Sequence, residues 1–289
     1  MGAVLFGAGA GALFGLLAVT VRLGLRRGGD PEVGALVVAG TGFAVAAVAA
    51  TAAGDLSSLS ASALWPFALI GLLVPGLSQI LFVRAVQGTG PSRTAILIGT
   101  APVISAILAV ALLGEPVRAG LVAGTVLVVA GGAALVGERV RPVDFRALGA
   151  ALALMCAALF AVRDNVVRWA AGESDPPPLA ATAASLLAGA AFVLAYVLAA
   201  RRRGLLDELR VAGPAFAPAG VALGLAYIAL IVALDRGRVT VVAPLNATQS
   251  LWGVLLSALI VGRAEMIGRR TLLAGLLVVA GAVLIGATR

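Results

Sequence analysis

The sequence predicts an all-α, polytopic membrane protein with ten transmembrane helices in two inverted five-helix repeats. Hydrophobic residues make up 61% of the 289 residues, charged residues make up 12%, and the mean hydropathy is +1.10. A soluble globular domain is about 45–50% apolar and about 25% charged, so this composition indicates a chain that lies in a bilayer. The spacing of the apolar runs and an internal sequence match supply the rest of the prediction.

Ten apolar segments are long enough to cross a membrane as helices. A bilayer-spanning helix needs about 20 mostly apolar residues. The breaks between the segments carry charges or helix breakers, such as RRGGDPE and GESDPPP, which are typical of short connections between packed helices. The predicted spans are 3–22, 33–53, 64–86, 91–113, 118–137, 146–169, 179–200, 213–234, 239–261 and 269–287.

The second half of the chain matches the first half at nearly one offset. ALFGLLAVTVR at 12–22 aligns with ALFAVRDNVVR at 158–168, and VVAGGAALVG at 128–137 aligns with VVAGAVLIG at 278–286. Single matches between Ala- and Val-rich helices arise easily by chance. Several matches in the same order favour a true repeat.

Five spans fall in each half, so we predict a first five-helix repeat at residues 1–145 and a second at 146–289. An odd number of spans inverts the second repeat relative to the first, as in many secondary transporters. Of the 21 basic residues, 15 lie in or beside the odd-numbered connections. The positive-inside rule places that side in the cytoplasm, so both termini are predicted to face outward. Glu115 and Glu265 occupy equivalent positions as first-turn helix acids.

Several classes of function are disfavoured by composition. The chain has no His and a single Cys, Cys156, so the usual zinc ligands and the usual general base are missing. The net charge of +8 comes from Arg scattered between apolar runs, which is unlike a nucleic-acid-binding face. No Lys is present, which rules out the nucleotide-binding motif of an ATP-driven pump. We predict no metal, no cofactor and no nucleic-acid partner.

Polar residues interrupt the sixth span at Arg163, Asp164, Asn165 and Arg168. On a helix, Asp164 and Arg168 are four residues apart and can pair on one face, while Arg163 and Asn165 point to other sides. Two interpretations stay open. Either the two Arg side chains snorkel to the interface with Asp164 neutralising one of them, or Arg163, Asp164 and Asn165 face a cavity and bind a charged group or a proton. Any proton coupling rests on Asp164, the only acid clearly inside a span.

The ninth span carries a second polar group, in VVAPLNATQSLWGVLL. Asn246 and Gln249 share one helical face and are predicted to contact the substrate, with Trp252 beside them for stacking. Alternatively, the two amides hydrogen-bond a neighbouring helix. Gln79 on the third span and Tyr227 on the eighth are further candidates for the cavity wall.

Small residues recur at helical spacing on two spans. Gly7, Gly11 and Gly15 form a stripe on the first span, and Gly120 and Gly124 repeat the pattern on the fifth. Such stripes let helices approach closely. Packing within one chain is the preferred interpretation, so the protein is predicted to be a monomer or a homodimer.

The chain resembles the EamA family of the drug/metabolite transporter superfamily over residues 3–287. The resemblance rests on ALFGLLAVTVRLGL in the first span, LFVRAVQGTGPSRTAILIGTAPVISAILAVALLGE at 81–115 and the VVAGGAALVG helix that follows. It implies a ten-helix exporter of small metabolites with a central cavity between the halves. Members similar to this chain are commonly drawn with both ends in the cytoplasm, whereas the Arg distribution here favours the reverse.

Together these features predict a secondary transporter of a bacterial inner membrane rather than an enzyme. Its exclusive use of Arg and its richness in Ala, Gly and Val indicate a GC-rich, bacterial genome. The protein is predicted to export small organic metabolites by alternating access, with lipid around it. A lipid-carrier flippase of the same architecture remains an alternative. An intramembrane enzyme is disfavoured because a His, a metal cluster and a paired-acid site are all missing from the sequence.

Overall fold

The protein is all-helical throughout the part that the structure describes. This computed structural model describes residues 2–55, 61–105, 107, 119–136, 146–174, 176–200, 204–237, 239–262 and 267–287. Its helices are α1 (Gly2–Arg26), α2 (Pro31–Ala53), α3 (Ala61–Gly71), α4 (Ser78–Thr89), α5 (Pro91–Ile98), α6 (Ala119–Val136), α7 (Ala147–Ser174), α8 (Pro178–Ala200), α9 (Leu205–Arg236), α10 (Val239–Ala247), α11 (Gln249–Leu256) and α12 (Arg269–Ala287). Residues 101–105 are also helical, and π-helical stretches at Leu72–Leu77 and Ser257–Val261 continue α3 and α11.

Seven helices within the described ranges are long and apolar enough to cross a membrane, which makes the chain a multi-pass membrane protein. They coincide with the predicted first, second, third, sixth, seventh, eighth and ninth spans. The tenth span corresponds to α12, and the fourth and fifth are described only in part. The total of ten spans and the boundary between residues 145 and 146 therefore stay predictions. Glu115 and Glu265 lie outside the described residues.

The start and end of α2 illustrate how local sequence sets a span. Asp30 caps the helix, because its Oδ1 accepts hydrogen bonds from the backbone N–H groups of Glu32 and Val33 at 2.9 and 3.1 Å. Pro31 occupies the first helical turn, where its missing N–H leaves no hydrogen bond unmade. Gly54 ends the helix in the left-handed conformation with a φ of 77°, which glycine adopts without strain.

The predicted third span is not one regular helix. It is α3 and α4 joined by the π-helical stretch, where Val74 has non-helical backbone angles and Pro75 lacks the N–H that would continue the ladder. Helix α8 passes close by: a Cβ added at Gly189 would lie 2.6 Å from the Pro75 ring. The bend brings Ser78 and Gln79 to the start of α4, inside the bundle, where both are buried.

The main helix contacts are symmetric between the two halves: each of them has an equivalent contact between the corresponding helices. Helix α1 packs along α9, and their counterparts in the other half, α7 and α4, pack on each other. Helices α2 and α8 are equivalent and pack together, and so do α6 and α12. This packing is what an internal two-fold relation between the repeats produces.

Four glycines of the two stripes, Gly7, Gly11, Gly15 and Gly124, are buried in helix contacts within the chain. A Cβ at Gly11 would lie 2.8 Å from the Leu245 carbonyl oxygen, and one at Gly15 would lie 2.7 Å from the Trp252 Cβ, so α1 packs closely on α10 and α11. A Cβ at Gly124 would lie 2.6 Å from the Gly281 carbonyl oxygen, where α6 meets α12. Both stripes therefore serve the intramolecular packing that the sequence predicts.

Candidate functional site

Two neighbouring cavities lie between the halves. The first, which we call the polar cavity, has an empty volume of about 360 Å³ including its mouth and lies between the 98–105 segment, α7, α10 and α11. It is lined by Ile98, Gly99, Ala101, Pro102, Ser105, Phe160, Ala161, Asp164, Ala243, Asn246, Ala247 and Gln249. The second, the aromatic cavity, has an empty volume of about 290 Å³ that also includes its open mouth, and the closed interior of each cavity has room for about one or two water molecules. It is lined by Phe14, Leu17, Pro75, Ser78, Gln79, Phe82, Phe160, Leu223, Tyr227 and Gln249.

Phe160 on α7 and Gln249 at the start of α11 line both cavities. Phe160 and Gln249 therefore lie where the two cavities meet. Gln249 is 5% exposed, and its position beside the break between α10 and α11 comes from Pro244 and from Thr248, whose hydroxyl donates to the Leu245 carbonyl at 2.6 Å. The irregular backbone thus lies where it lines a cavity.

A buried ion pair lies beside Phe160 and Gln249. The Arg163 guanidinium contacts Asp164 Oδ1 through Nε and Nη2, both at 2.9 Å. Arg163 is 2% exposed and Asp164 is 7% exposed. The predicted pairing of Asp164 with Arg168 is therefore wrong, and so is the alternative in which Arg163 snorkels to the interface. Asp164 faces the polar cavity, while Arg163 lies behind the cavity wall.

Aromatic rings hold Arg163 in this buried position. Its guanidinium carbon lies 4.7 Å from the ring centroid of Phe160, 5.4 Å from that of Tyr227 and 5.8 Å from that of Phe14. Its Nη1 also donates to Tyr227 Oη at 3.4 Å. A desolvated cation–π contact contributes about 2 kcal/mol, which offsets part of the cost of burying the charge. The three rings all line the aromatic cavity, so the charge lies directly behind that wall.

The other two polar residues of α7 have structural partners. Asn165 is exposed, and its Nδ2 donates to Ser105 Oγ at 3.1 Å and to the Ala161 carbonyl at 2.8 Å, which ties α7 to the end of the 101–105 helix. Asn165 does not line either cavity. Arg168 donates from Nη1 to the Leu234 carbonyl at 3.0 Å. It therefore satisfies the carboxyl end of α9 rather than pairing with an acid.

The ninth-span candidates divide between the cavity and the surface. Asn246 and Gln249 line the polar cavity, and Asn246 Oδ1 is buried without a hydrogen-bond partner. Ile98, Ala101 and Ser105 of the fourth span, which occupy the repeat positions equivalent to Asn246, Gln249 and Gly253, line the same cavity. Trp252 is 39% exposed and lines neither described cavity, so its position does not support the predicted stacking on a substrate.

The candidates from the third and eighth spans meet in the aromatic cavity. Gln79 is 3% exposed, and its Nε2 has no hydrogen-bond partner. Tyr227 is 2% exposed and packs edge-on against Phe14, with the ring centroids 6.0 Å apart. Each half thus supplies two aromatic rings to this wall, Phe14 and Phe82 from the first half and Phe160 and Tyr227 from the second.

Sequence reasoning missed the two phenylalanines that shape the site. Phe14 and Phe160 occupy the same position of the repeat, within ALFGLL and ALFAVR, and both contact Arg163. The repeat offset was the signal that could have found them. A polar group whose members the sequence did not connect joins α2, α4 and α8, where Arg84 pairs with Glu32 and both contact the Tyr196 hydroxyl. In the part of the chain that is described, no group of three Cys, Asp or Glu side chains is placed to hold a metal ion.

Comparison with models of known protein families identifies the family of this chain. The model of the EamA-like transporter family matches residues 1–137 and again residues 147–287. The chain belongs to the EamA-like transporter family. The resemblance predicted from the sequence is confirmed, and the EamA match accounts for two repeats along a multi-pass membrane protein.

The fold of this EamA-family chain also has a counterpart among solved structures. A solved structure called "Crystal structure of protein" superimposes with a TM-score of 0.67 at 23% sequence identity, over 99% of this chain and 96% of that one. At that identity the similarity shows the fold alone. No curated protein matches the sequence.

Proposed function

We propose that this EamA-family protein is a secondary transporter of a bacterial inner membrane that exports small organic metabolites. The two halves would rock against each other around the polar and aromatic cavities, so that the cavities open first to one side of the membrane and then to the other. Family membership supports transport as the function. The packing of equivalent helix pairs supports the rocking motion, because the two halves can form the same contacts when the protein opens to one side of the membrane as when it opens to the other.

The observation that carries this proposal is the buried Arg163–Asp164 pair beside Phe160 and Gln249. Ionisable groups within a membrane are expensive, and they mark substrate and proton pathways more often than they serve stability. Here the acid faces one cavity and the rings around the base line the other. A charge placed at the boundary between two cavities is suited to sensing which one is occupied.

Transport is tested by efflux from proteoliposomes. The purified protein is reconstituted, loaded with a panel of labelled metabolites and assayed with and without a pH gradient, with empty liposomes as the control. We expect protein-dependent flux of at least one small solute. Scrambling of a labelled lipid carrier without flux of any solute would support the flippase instead.

Coupling to protons is tested with Asp164→Asn. Within the described residues, Asp164 is the acid that faces the polar cavity. Its replacement by a neutral amide of the same shape should abolish the response of flux to a pH gradient while leaving exchange of solute down its own gradient. A variant whose pH-driven flux equals that of the wild type would remove Asp164 from the coupling mechanism.

The topology that accompanies this proposal is ten spans in two inverted repeats, with both termini outside. The Arg distribution supports that orientation. Cys156 is buried, so a Cys156→Ala background with single cysteines added at the termini allows labelling by an impermeant maleimide in intact cells. Labelling without permeabilisation is the expected result. Labelling only after permeabilisation would place the termini in the cytoplasm.

A further inference from the structure

The aromatic cavity presents hydrogen-bond donors among aromatic walls. Gln79 Nε2 is buried without a partner. Tyr227 Oη accepts a hydrogen bond from Arg163 Nη1, which leaves its own hydrogen for the cavity. A buried donor without a partner costs about 1–3 kcal/mol, so its retention in a cavity wall points to a ligand that satisfies it. The ligand group that fits two donors is an acceptor.

The charge behind the wall extends this argument to an anion. Arg163 contacts three rings that line the cavity, and its anionic partner, Asp164, lies on the side of the other cavity. A carboxylate entering the aromatic cavity would share Arg163 with Asp164. Two negative charges around one positive charge are strongly unfavourable where water is excluded, and a proton on Asp164 restores neutrality.

We propose that the aromatic cavity binds the carboxylate of a small aromatic or apolar acid, and that Asp164 takes up one proton when the acid binds. This inference rests on the proposed function and names the substrate class of the same site. Gln79 and Tyr227 donate to the carboxylate, and the rings of Phe14, Phe82 and Phe160 contact the apolar body once the rocking of the two halves has widened the cavity. The acid anion and the proton cross together, so each cycle moves no net charge, and export proceeds when the outward gradient of the acid exceeds the inward gradient of the proton.

The surroundings of Asp164 allow this exchange. The titratable and charged groups that interact with it in the described residues are Arg163 on its own helix and Tyr227 on α9. The neighbouring 98–105 segment, α10 and α11 present only neutral polar groups to the polar cavity, namely Ser105, Asn246 and Gln249. Arg163 is therefore the charge for which Asp164 and the ligand compete.

The binding test uses the purified full-length protein in detergent with labelled benzoate, and with benzamide as the neutral analogue. Benzoate stays ionised from about pH 6 to about pH 8, whereas uptake of one proton on binding makes its affinity fall by up to about tenfold per pH unit across that range. Benzamide binding should be independent of pH. Equal pH dependence for the two ligands, or no benzoate binding at any pH, would overturn the proposal.

The donors are tested with Gln79→Leu and Tyr227→Phe. Because Gln79 Nε2 has no partner in the protein, an apolar side chain of similar size should keep the fold as stable while weakening benzoate about tenfold or more. Gln87→Leu is the matched control, since Gln87 is exposed two turns along α4, and Tyr196→Phe is the control for the other tyrosine. Benzoate affinity unchanged in both site variants would contradict the assignment.

Asp164→Asn separates the charge argument from simple packing. The amide mimics the protonated acid and leaves Arg163 without a counter-ion, so benzoate should bind at about pH 8 as tightly as wild type does at about pH 6. Benzoate should also raise the melting temperature of this variant more than that of wild type. Weaker or still pH-dependent binding would refute the inference. Flux of other solutes alongside absent benzoate binding would defeat this inference and leave the proposed function standing.

Discussion

The Arg163–Asp164 pair should behave as a coupled buried unit, and a double-mutant cycle measures this. Arg163 and Asp164 are 2% and 7% exposed, so removal of either partner leaves a charge that water cannot reach. Removing one member of such a pair costs about 3–5 kcal/mol. Asp164→Leu should therefore lower the free energy of unfolding by about this amount, and the cation–π contacts of Arg163 do not replace the lost counter-ion.

Arg163→Met should be comparably destabilising, because it strands Asp164 and removes the contacts with three rings. The double variant, with Arg163→Met and Asp164→Leu, removes both charges and fills the space with apolar side chains. Replacement of a whole buried pair by apolar residues is often neutral or stabilising. We therefore expect the double variant to be several kcal/mol more stable than the two single losses added together.

Reversible unfolding by SDS in mixed micelles gives the four free energies. Asp207 and Arg210 supply the matched control, because they form an ion pair at 3.0 Å with side chains that are 83% and 80% exposed. The same cycle there should give a coupling energy near zero. The reasoning is refuted if Asp164→Leu changes stability by less than about 1 kcal/mol and adds to Arg163→Met, since an exposed pair behaves in that way.

Three further predictions concern the packing around the site. Gly15→Ala should reduce both stability and flux, because its Cβ would lie 2.7 Å from a side chain on α11. A Cβ at Gly9 has nothing within 4 Å, so Gly9→Ala should leave stability and flux unchanged in the same micelle and efflux assays. Asn165→Leu should lower the unfolding free energy by about 1 kcal/mol through loss of the bond to Ser105, and a larger loss in the SDS titration would indicate a role beyond this bond. Arg168→Met should speed amide hydrogen exchange at the last turn of α9 without slowing the binding of ligand. If these amides stay as protected as in the wild type, Arg168 does not cap α9.

Much of the fold follows from local sequence. The Asp30–Pro31 start of α2 and its Gly54 end are both signals that operate within a few residues. The bend in the third span was not predicted, although Pro75 is visible in the sequence. Its geometry depends on how closely α8 approaches at Gly189, and that is a contact between segments more than 100 residues apart. Periodicity carries no information about such contacts.

The candidate site was predictable where it depended on the repeat and unpredictable where it depended on tertiary partners. Asn246 and Gln249 line one cavity together with Ala101 and Ser105, which lie at or near the equivalent positions of the fourth span. The spacing rule paired Asp164 with Arg168, because it considers one isolated helix. In the bundle, Arg168 donates a hydrogen bond to a carbonyl group at the end of α9. Arg163 is surrounded by three rings, which lie on α1, α7 and α9, and it stays inside the bundle beside Asp164.

The second half carries the Arg163–Asp164 ion pair and the first half does not, and the symmetric packing of the helices explains this difference. Phe14 and Phe160 are equivalent residues on α1 and α7, yet both face the one aromatic cavity, so the equivalent helices converge there. Leu17 occupies the repeat position of Arg163 and lines the same cavity. An Arg at both positions would bring two cations to one water-poor wall, where like charges repel strongly. A single ion pair in one half of a nearly two-fold scaffold avoids that repulsion.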